Sequence, residues 1–110
     1  MDIYFANRKL RRQLEREREL KKAFGRMAGA LKRRLAVLAA AENLAQVPVT
    51  PPERCHQLKG EWAGHFAVDI SRNWRLIFRP AHEPLPLTAD GGIDLARVTA
   101  IEIVAIVDYH

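Results

Sequence analysis

The sequence predicts an α+β fold in which an N-terminal two-helix hairpin packs on a small antiparallel β-sheet, and three observations predict it. Apolar residues recur at spacings of three and four through the first part of the 110-residue chain, as on one face of a helix. Pro48, Pro51 and Pro52 then end helical structure. Beyond them the period changes to two, that of a strand with one buried face. A chain of this length buries roughly two-thirds of its unfolded surface, enough for one core. A single domain is expected, with the hairpin over about residues 7–46 and the sheet over about 54–110.

Asn7 is a candidate N-cap, and Arg8 to Lys22 behind it contains neither Gly nor Pro, so one helix is expected there. Leu10, Leu14, Leu20 and Phe24 form its narrow apolar stripe, and Gly25 interrupts it. Met27, Ala28, Leu31, Leu35, Leu38, Ala41 and Ala45 then mark a wide apolar face on a second helix ending near Ala45. That stripe reads as core packing. Arg54 to Leu58 is a short extended segment stopped by Gly60. From His65 to Ile70 the chain alternates, with Phe66, Val68 and Ile70 on one face and His65, Ala67 and Asp69 on the other. Ser71-Arg72-Asn73 is a turn, and from Trp74 to Arg79 the alternation resumes, so the two segments make an antiparallel hairpin. Residues 80–98 contain Pro84, Pro86, Gly91 and Gly92, and long connections of this kind are functional or mobile. Thr99 to Val107 is apolar at nearly every position, as in a central strand covered on both faces, and Asp108-Tyr109-His110 ends it.

Hydrophobic residues at 48% and charged residues at 28% exclude wholesale disorder. The lone cysteine, Cys55, excludes an intramolecular disulfide, and without a CxxC pair there is no thiolate zinc cage. No apolar run approaches the ~20 residues that cross a bilayer. Met1 to Asn7 lacks the basic-then-apolar pattern of a signal peptide. A reducing, cytoplasmic setting without membrane contact is therefore expected. The net charge of +5 is uneven: Met1 to Arg34 holds 12 Lys/Arg against 4 Asp/Glu, whereas Leu35 to His110 holds 6 against 9. Arg8, Lys9, Arg11, Arg12, Arg16, Lys21 and Lys22 are the candidate nucleic-acid-binding residues of the basic block. A solvated helix face laced with ion pairs, or a surface for an acidic protein, would have the same composition.

The four histidines, His56, His65, His82 and His110, show no HxxxH pair, so neither metal nor other cofactor is expected. Cys55 and His56 are adjacent, and in extended chain adjacent side chains point to opposite faces, so they make no nucleophile–base dyad. The more promising set is dispersed: His56 and Lys59 before Gly60, Arg75 on the second hairpin strand, and Asp108, Tyr109 and His110 at the end of the chain. Imidazole, ammonium, guanidinium and phenol on one sheet face suit phosphodiester chemistry, in which a base activates a hydroxyl, cations stabilise the phosphorane and an acid protonates the leaving oxygen. Solvated strand ends carry the same residue types.

From Arg54 onward the chain resembles the RelE/ParE toxin superfamily, in particular its HigB-type (plasmid-maintenance killer) branch. The resemblance lies in Arg54-Cys55-His56-Gln57-Leu58-Lys59-Gly60, in Phe66-Ala67-Val68-Asp69-Ile70 through Asn73-Trp74-Arg75-Leu76-Ile77-Phe78, and in Val107-Asp108-Tyr109-His110. It implies a RelE-like fold, with a sheet packed on two N-terminal helices. It implies the toxin of a type II toxin–antitoxin system, a ribosome-dependent mRNA endonuclease neutralised by a helix-turn-helix, HigA-type antitoxin. By the same resemblance His56 and His110 are proton-transfer groups, Lys59 and Arg75 stabilise the phosphate, and Asp108 and Tyr109 orient. The chain departs from the pattern in its long, charged first helix, in Glu61-Trp62-Ala63 after the glycine, and in the Pro84 to Ala96 insertion. A ParE-like gyrase inhibitor without hydrolysis and a non-catalytic RNA- or antitoxin-binding module are the competing readings.

Overall fold

The computed structural model describes residues 1–108. A strand missing from the sequence-based reading opens the chain: β1 (Asp2–Phe5). Three helices follow, α1 (Arg8–Glu15), α2 (Glu17–Phe24) and α3 (Ala28–Ala40), and then four strands, β2 (His56–Gln57), β3 (Phe66–Asp69), β4 (Trp74–Pro80) and β5 (Ala100–Asp108). The sheet order is β1-β5-β4-β3-β2. Every pairing is antiparallel except β1 with β5, which is parallel. The α+β expectation of helices on a small, mostly antiparallel sheet holds, with the parallel edge strand as its addition.

The expected continuous helix over Arg8 to Lys22 is two helices. Asn7 caps α1 as anticipated, its Oδ1 accepting from the Leu10 amide at 2.9 Å. Arg16 then leaves the helical region, at φ −108° and ψ 120°. The reason is legible in the stripe. Leu14 and Leu20 are six residues apart, which on one continuous helix puts them about 120° apart around the axis. Breaking at Arg16 resets the phase, and both leucines are buried. The helix after Gly25 stops at Ala40 rather than near Ala45, and a 3₁₀ turn, Leu44–Gln46, places Leu44 in the core instead.

The helices cover one sheet face, where Leu31 and Leu38 meet Phe66, Val68, Leu76, Phe78, Ile101 and Ile103. The long connection before β5 is tied down. His82 Nε2 accepts from the Thr99 and Ala100 amides at 3.0 and 3.2 Å, the Arg97 guanidinium donates to the Leu87 carbonyl at 2.8 Å, and Ile93 and Leu95 pack on the core. No helix among the described residues is long and apolar enough to cross a membrane.

Candidate active site

The sheet face away from the helices carries the candidate chemistry, and register decides which residues share it. His56 stands opposite Ala67, Ala67 opposite Ile77 and Ile77 opposite Ala105. Two residues along, Asp69 stands opposite Arg75 and Arg75 opposite Val107. Directly paired residues point to the same side, so His56, Asp69 and Arg75 lie on one face. Its floor is the small buried cluster of Leu58, Ala67 and Ile77, against which Trp62, Ala105 and Val107 pack. His56 and Arg75 are two strands apart, about 10 Å across the sheet at ~4.8 Å per strand.

His56 is half-buried, and its Nδ1 lies 2.7 Å from the Arg54 carbonyl oxygen. A carbonyl only accepts, so Nδ1 carries the hydrogen and, in the neutral ring, Nε2 keeps its lone pair. Cys55, by contrast, points into the core, and burial pushes its thiol from 9.0 up to about 11. The opposite-face expectation for this pair is met. Lys59 is exposed and precedes the short 3₁₀ turn Gly60–Trp62, where Gly60 has φ +65°, a conformation that disfavours any side chain.

Arg75 is held rather than loose. Its Nε meets Asp69 Oδ1 at 2.9 Å, and its Nη1 donates to the carbonyls of Ser71, Arg72 and Trp74 at 3.1–3.2 Å. Among the described residues Nη2 takes no hydrogen bond, which leaves that nitrogen for a ligand. Asp108 does not share the face: it pairs with Trp74, one residue out of phase with Arg75, and strand alternation turns it to the opposite side. The expected convergence of Asp108 with Arg75 on one face is corrected accordingly. Tyr109 and His110 lie outside the described residues.

Arg54 and Asp69 are the residues that sequence reasoning passed over. Arg54 donates from Nε to Asp69 Oδ2 at 2.8 Å and from Nη2 to Oδ1 at 3.1 Å, and this hydrogen-bonded carboxylate raises the guanidinium's already high proton affinity. A signal was available. In a hairpin that turns at residues 70–74, positions 69 and 75 face each other, and an opposite-charge pair there is a cross-strand contact.

The seven basic candidates Arg8, Lys9, Arg11, Arg12, Arg16, Lys21 and Lys22 are all exposed on α1, α2 and the break between them. Two are paired along their own helix, Arg11 with Glu15 at 3.2 Å and Lys21 with Glu17 at 3.8 Å. Among the described residues the other five form no ion pair. Arg8, Arg11, Arg12 and Arg16, with Glu15, line a surface hollow of about 270 Å³. Arg34, counted in the basic block, is not on the surface. It is buried beside Glu53 at 3.9 Å and donates to the Asp69 carbonyl at 2.6 Å. Among the described residues no three His, Cys, Asp or Glu side chains gather as a metal site would require.

This fold is shared with several solved structures. YafQ from E. coli strain BL21(DE3) aligns over 97% of this chain and 91% of its own, with 16% identity and a TM-score of 0.57. The YoeB/ParE toxin from Agrobacterium tumefaciens aligns over 100% and 99%, with 13% identity and a TM-score of 0.55. The YoeB-YefM complex from Staphylococcus aureus gives 100% and 97%, at 13% and 0.55. No curated protein matches in sequence. The family model of the RelE-like toxin of type II toxin–antitoxin system HigB matches residues 3–84, and the chain belongs to this family of HigB-like toxins. It is the toxin of a toxin–antitoxin pair, with an antitoxin as its partner.

Proposed function

We propose that this toxin is a ribosome-dependent mRNA endonuclease that cuts through the RNA's own 2′-hydroxyl, without a metal ion. The observation that carries the reading is the pinned His56 ring, whose Nε2 lone pair lies on the same sheet face as the Arg75 guanidinium. Family membership supports it. His56 Nε2 takes the proton of the 2′-hydroxyl as its oxygen attacks the adjacent phosphorus. The bond to the 5′-oxygen breaks, and that oxygen takes a proton from an acid, a role we give to His110. Arg75 and Lys59 neutralise charge that develops on the non-bridging oxygens, where fixed cations act most strongly on the transition state. Tyr109 is assigned to orient the substrate. The exposed arginines and lysines of α1 and α2 are assigned to ribosomal RNA, and a HigA-type helix-turn-helix antitoxin in the cytoplasm is the assigned inhibitor.

End-group analysis of mRNA cut on purified translating ribosomes tests the reading. The expected products are a 2′,3′-cyclic phosphate and a 5′-hydroxyl, with resistance where the cut site carries 2′-deoxyribose. Finding 5′-phosphate ends, or gyrase inhibition without cleavage, overturns it.

A further inference from the structure

Asp69 is gripped at every polar group it has. Its amide donates to the Glu53 carbonyl at 2.8 Å, and its carbonyl accepts from Arg34 Nε at 2.6 Å. Its carboxylate lies between two guanidiniums, taking the fork of Arg54 at 2.8 and 3.1 Å and Arg75 Nε at 2.9 Å. Arg54 itself has φ +45°, the one described residue other than glycine in the left-handed region. Such a conformation is costly for a residue with a Cβ and persists where surrounding contacts over-determine it. Here they do: the Arg54 amide donates to the Thr50 carbonyl at 2.9 Å, the next amide donates to the Pro48 carbonyl at 3.0 Å, and the side chain is clamped to Asp69. The result is an Arg54 carbonyl aimed at His56 Nδ1, 2.7 Å away.

We propose that Asp69 is the positioning residue of the site, setting the tautomer and orientation of His56 through Arg54 and aiming Arg75 directly. One carboxylate thereby couples the proposed base on β2 to the proposed phosphate-binding cation on β4. The assignment of Arg54 and Asp69 to positioning explains why position 54 carries an arginine where glycine would be unstrained: the guanidinium is the handle by which β3 holds the carbonyl. The kinetic half of the proposal rests on the endonuclease reading; the tautomer half does not.

The test is ¹⁵N NMR of the His56 ring in the purified toxin, with His56→Gln for assignment, beside single-turnover cleavage on translating ribosomes. In the native protein the neutral ring should show a protonated Nδ1 and an unprotonated Nε2. Asp69→Asn keeps the size of the side chain and removes its charge. Arg54→Gly keeps the left-handed backbone and removes the handle. In both, the ring should populate the two tautomers, and the cleavage rate should fall roughly 10- to 100-fold, the usual cost of losing a group that orients a site residue. The ribosome concentration for half-maximal rate should stay unchanged. A native ring protonated at Nε2 overturns the proposal, as does an Arg54→Gly protein with native tautomer and rate. If Asp69→Asn fails to fold, Arg54→Gly decides. If the native protein cuts no RNA, the endonuclease reading fails, and the tautomer populations of native and variant proteins still decide this one.

Discussion

Cys55 and His56 are neighbours with opposite fates, turned to opposite sides where the chain enters β2. Cys55 turns inward among Val47, Phe66 and their neighbours, and its thiol is raised from 9.0 to about 11 because burial disfavours the thiolate. Below pH 9 the thiol is protonated whether the chain is folded or not, so it contributes no pH dependence there. Above it the unfolded chain loses the proton first, the folded state binds more protons, and stability falls with rising pH until about 11. Two pKa units correspond to about 3 kcal/mol. Urea titrations at pH 8 and pH 11 should show that loss in the native protein and less of it in Cys55→Ala. Equal losses would show that other groups cause the alkaline instability. Iodoacetamide should leave native Cys55 unmodified at pH 8 and label it after unfolding. At this scale the sequence was informative about His56 and Arg75, whose types and strand positions are explicit. It was silent on the Arg54 contact: hairpin register sets Asp69 against Arg75, six residues later, but nothing local brings Arg54, 15 residues earlier, to the same carboxylate.

Among the elements, the hairpin of β3 and β4 was legible because its alternation runs uninterrupted to a polar turn, and β5 because Ala100 to Val107 is apolar at every position but Glu102. β1 was not. Four residues, Asp2–Phe5, are too few for alternation to stand out, and the partner that makes them a strand lies almost a whole chain away at Ala100–Ile103. The break at Arg16 was also hidden, since no Gly or Pro marks it; only the six-residue step from Leu14 to Leu20 does. Arg34 shows how an element is fastened to the sheet. From the buried side of α3 it reaches Glu53, and it caps the Asp69 carbonyl at the end of β3. Removing it leaves a buried carboxylate and a carbonyl without their donor. Breaking a buried pair in this one-sided way costs about 3–5 kcal/mol. Arg34→Met, which keeps the apolar stem, is expected to lower the urea midpoint accordingly, and pairing it with Glu53→Gln should recover part of the loss. A double variant no better than the single would show that the carbonyl contact, not the ion pair, carries the effect.

Across the whole molecule, charge and proposed chemistry sit at different edges of the sheet. Arg11 and Glu15 of α1 share a surface hollow with Ile3, Tyr4 and Phe5, so the basic helix lies along the β1 edge. His56 is on β2, the opposite edge. Four inter-strand steps separate them, about 19 Å at ~4.8 Å per step. Between them Tyr4 pairs with Glu102 and Glu102 with Arg79, in a row on the same face as Arg75. Binding and bond-breaking should then be separable by mutation. Arg12 and Arg16 have no ion-pair partner among the described residues, so replacing both with Gln removes charge without leaving an orphaned carboxylate. For each phosphate that the variant no longer neutralises, the dependence of log affinity on log salt should flatten by roughly 0.7–0.9. The Arg12→Gln/Arg16→Gln protein should therefore bind ribosomes more weakly at low salt and approach the native protein at high salt. Its rate on saturating ribosomes should be native. Arg75→Ala should do the reverse, keeping affinity and lowering the saturated rate, because a cation held for the transition state acts on chemistry more than on binding. Ribosome co-sedimentation across a salt series, with single-turnover cleavage on the same samples, reads both. If the double variant binds with the native salt slope, Arg12 and Arg16 form a solvated face, and the ribosome is held elsewhere.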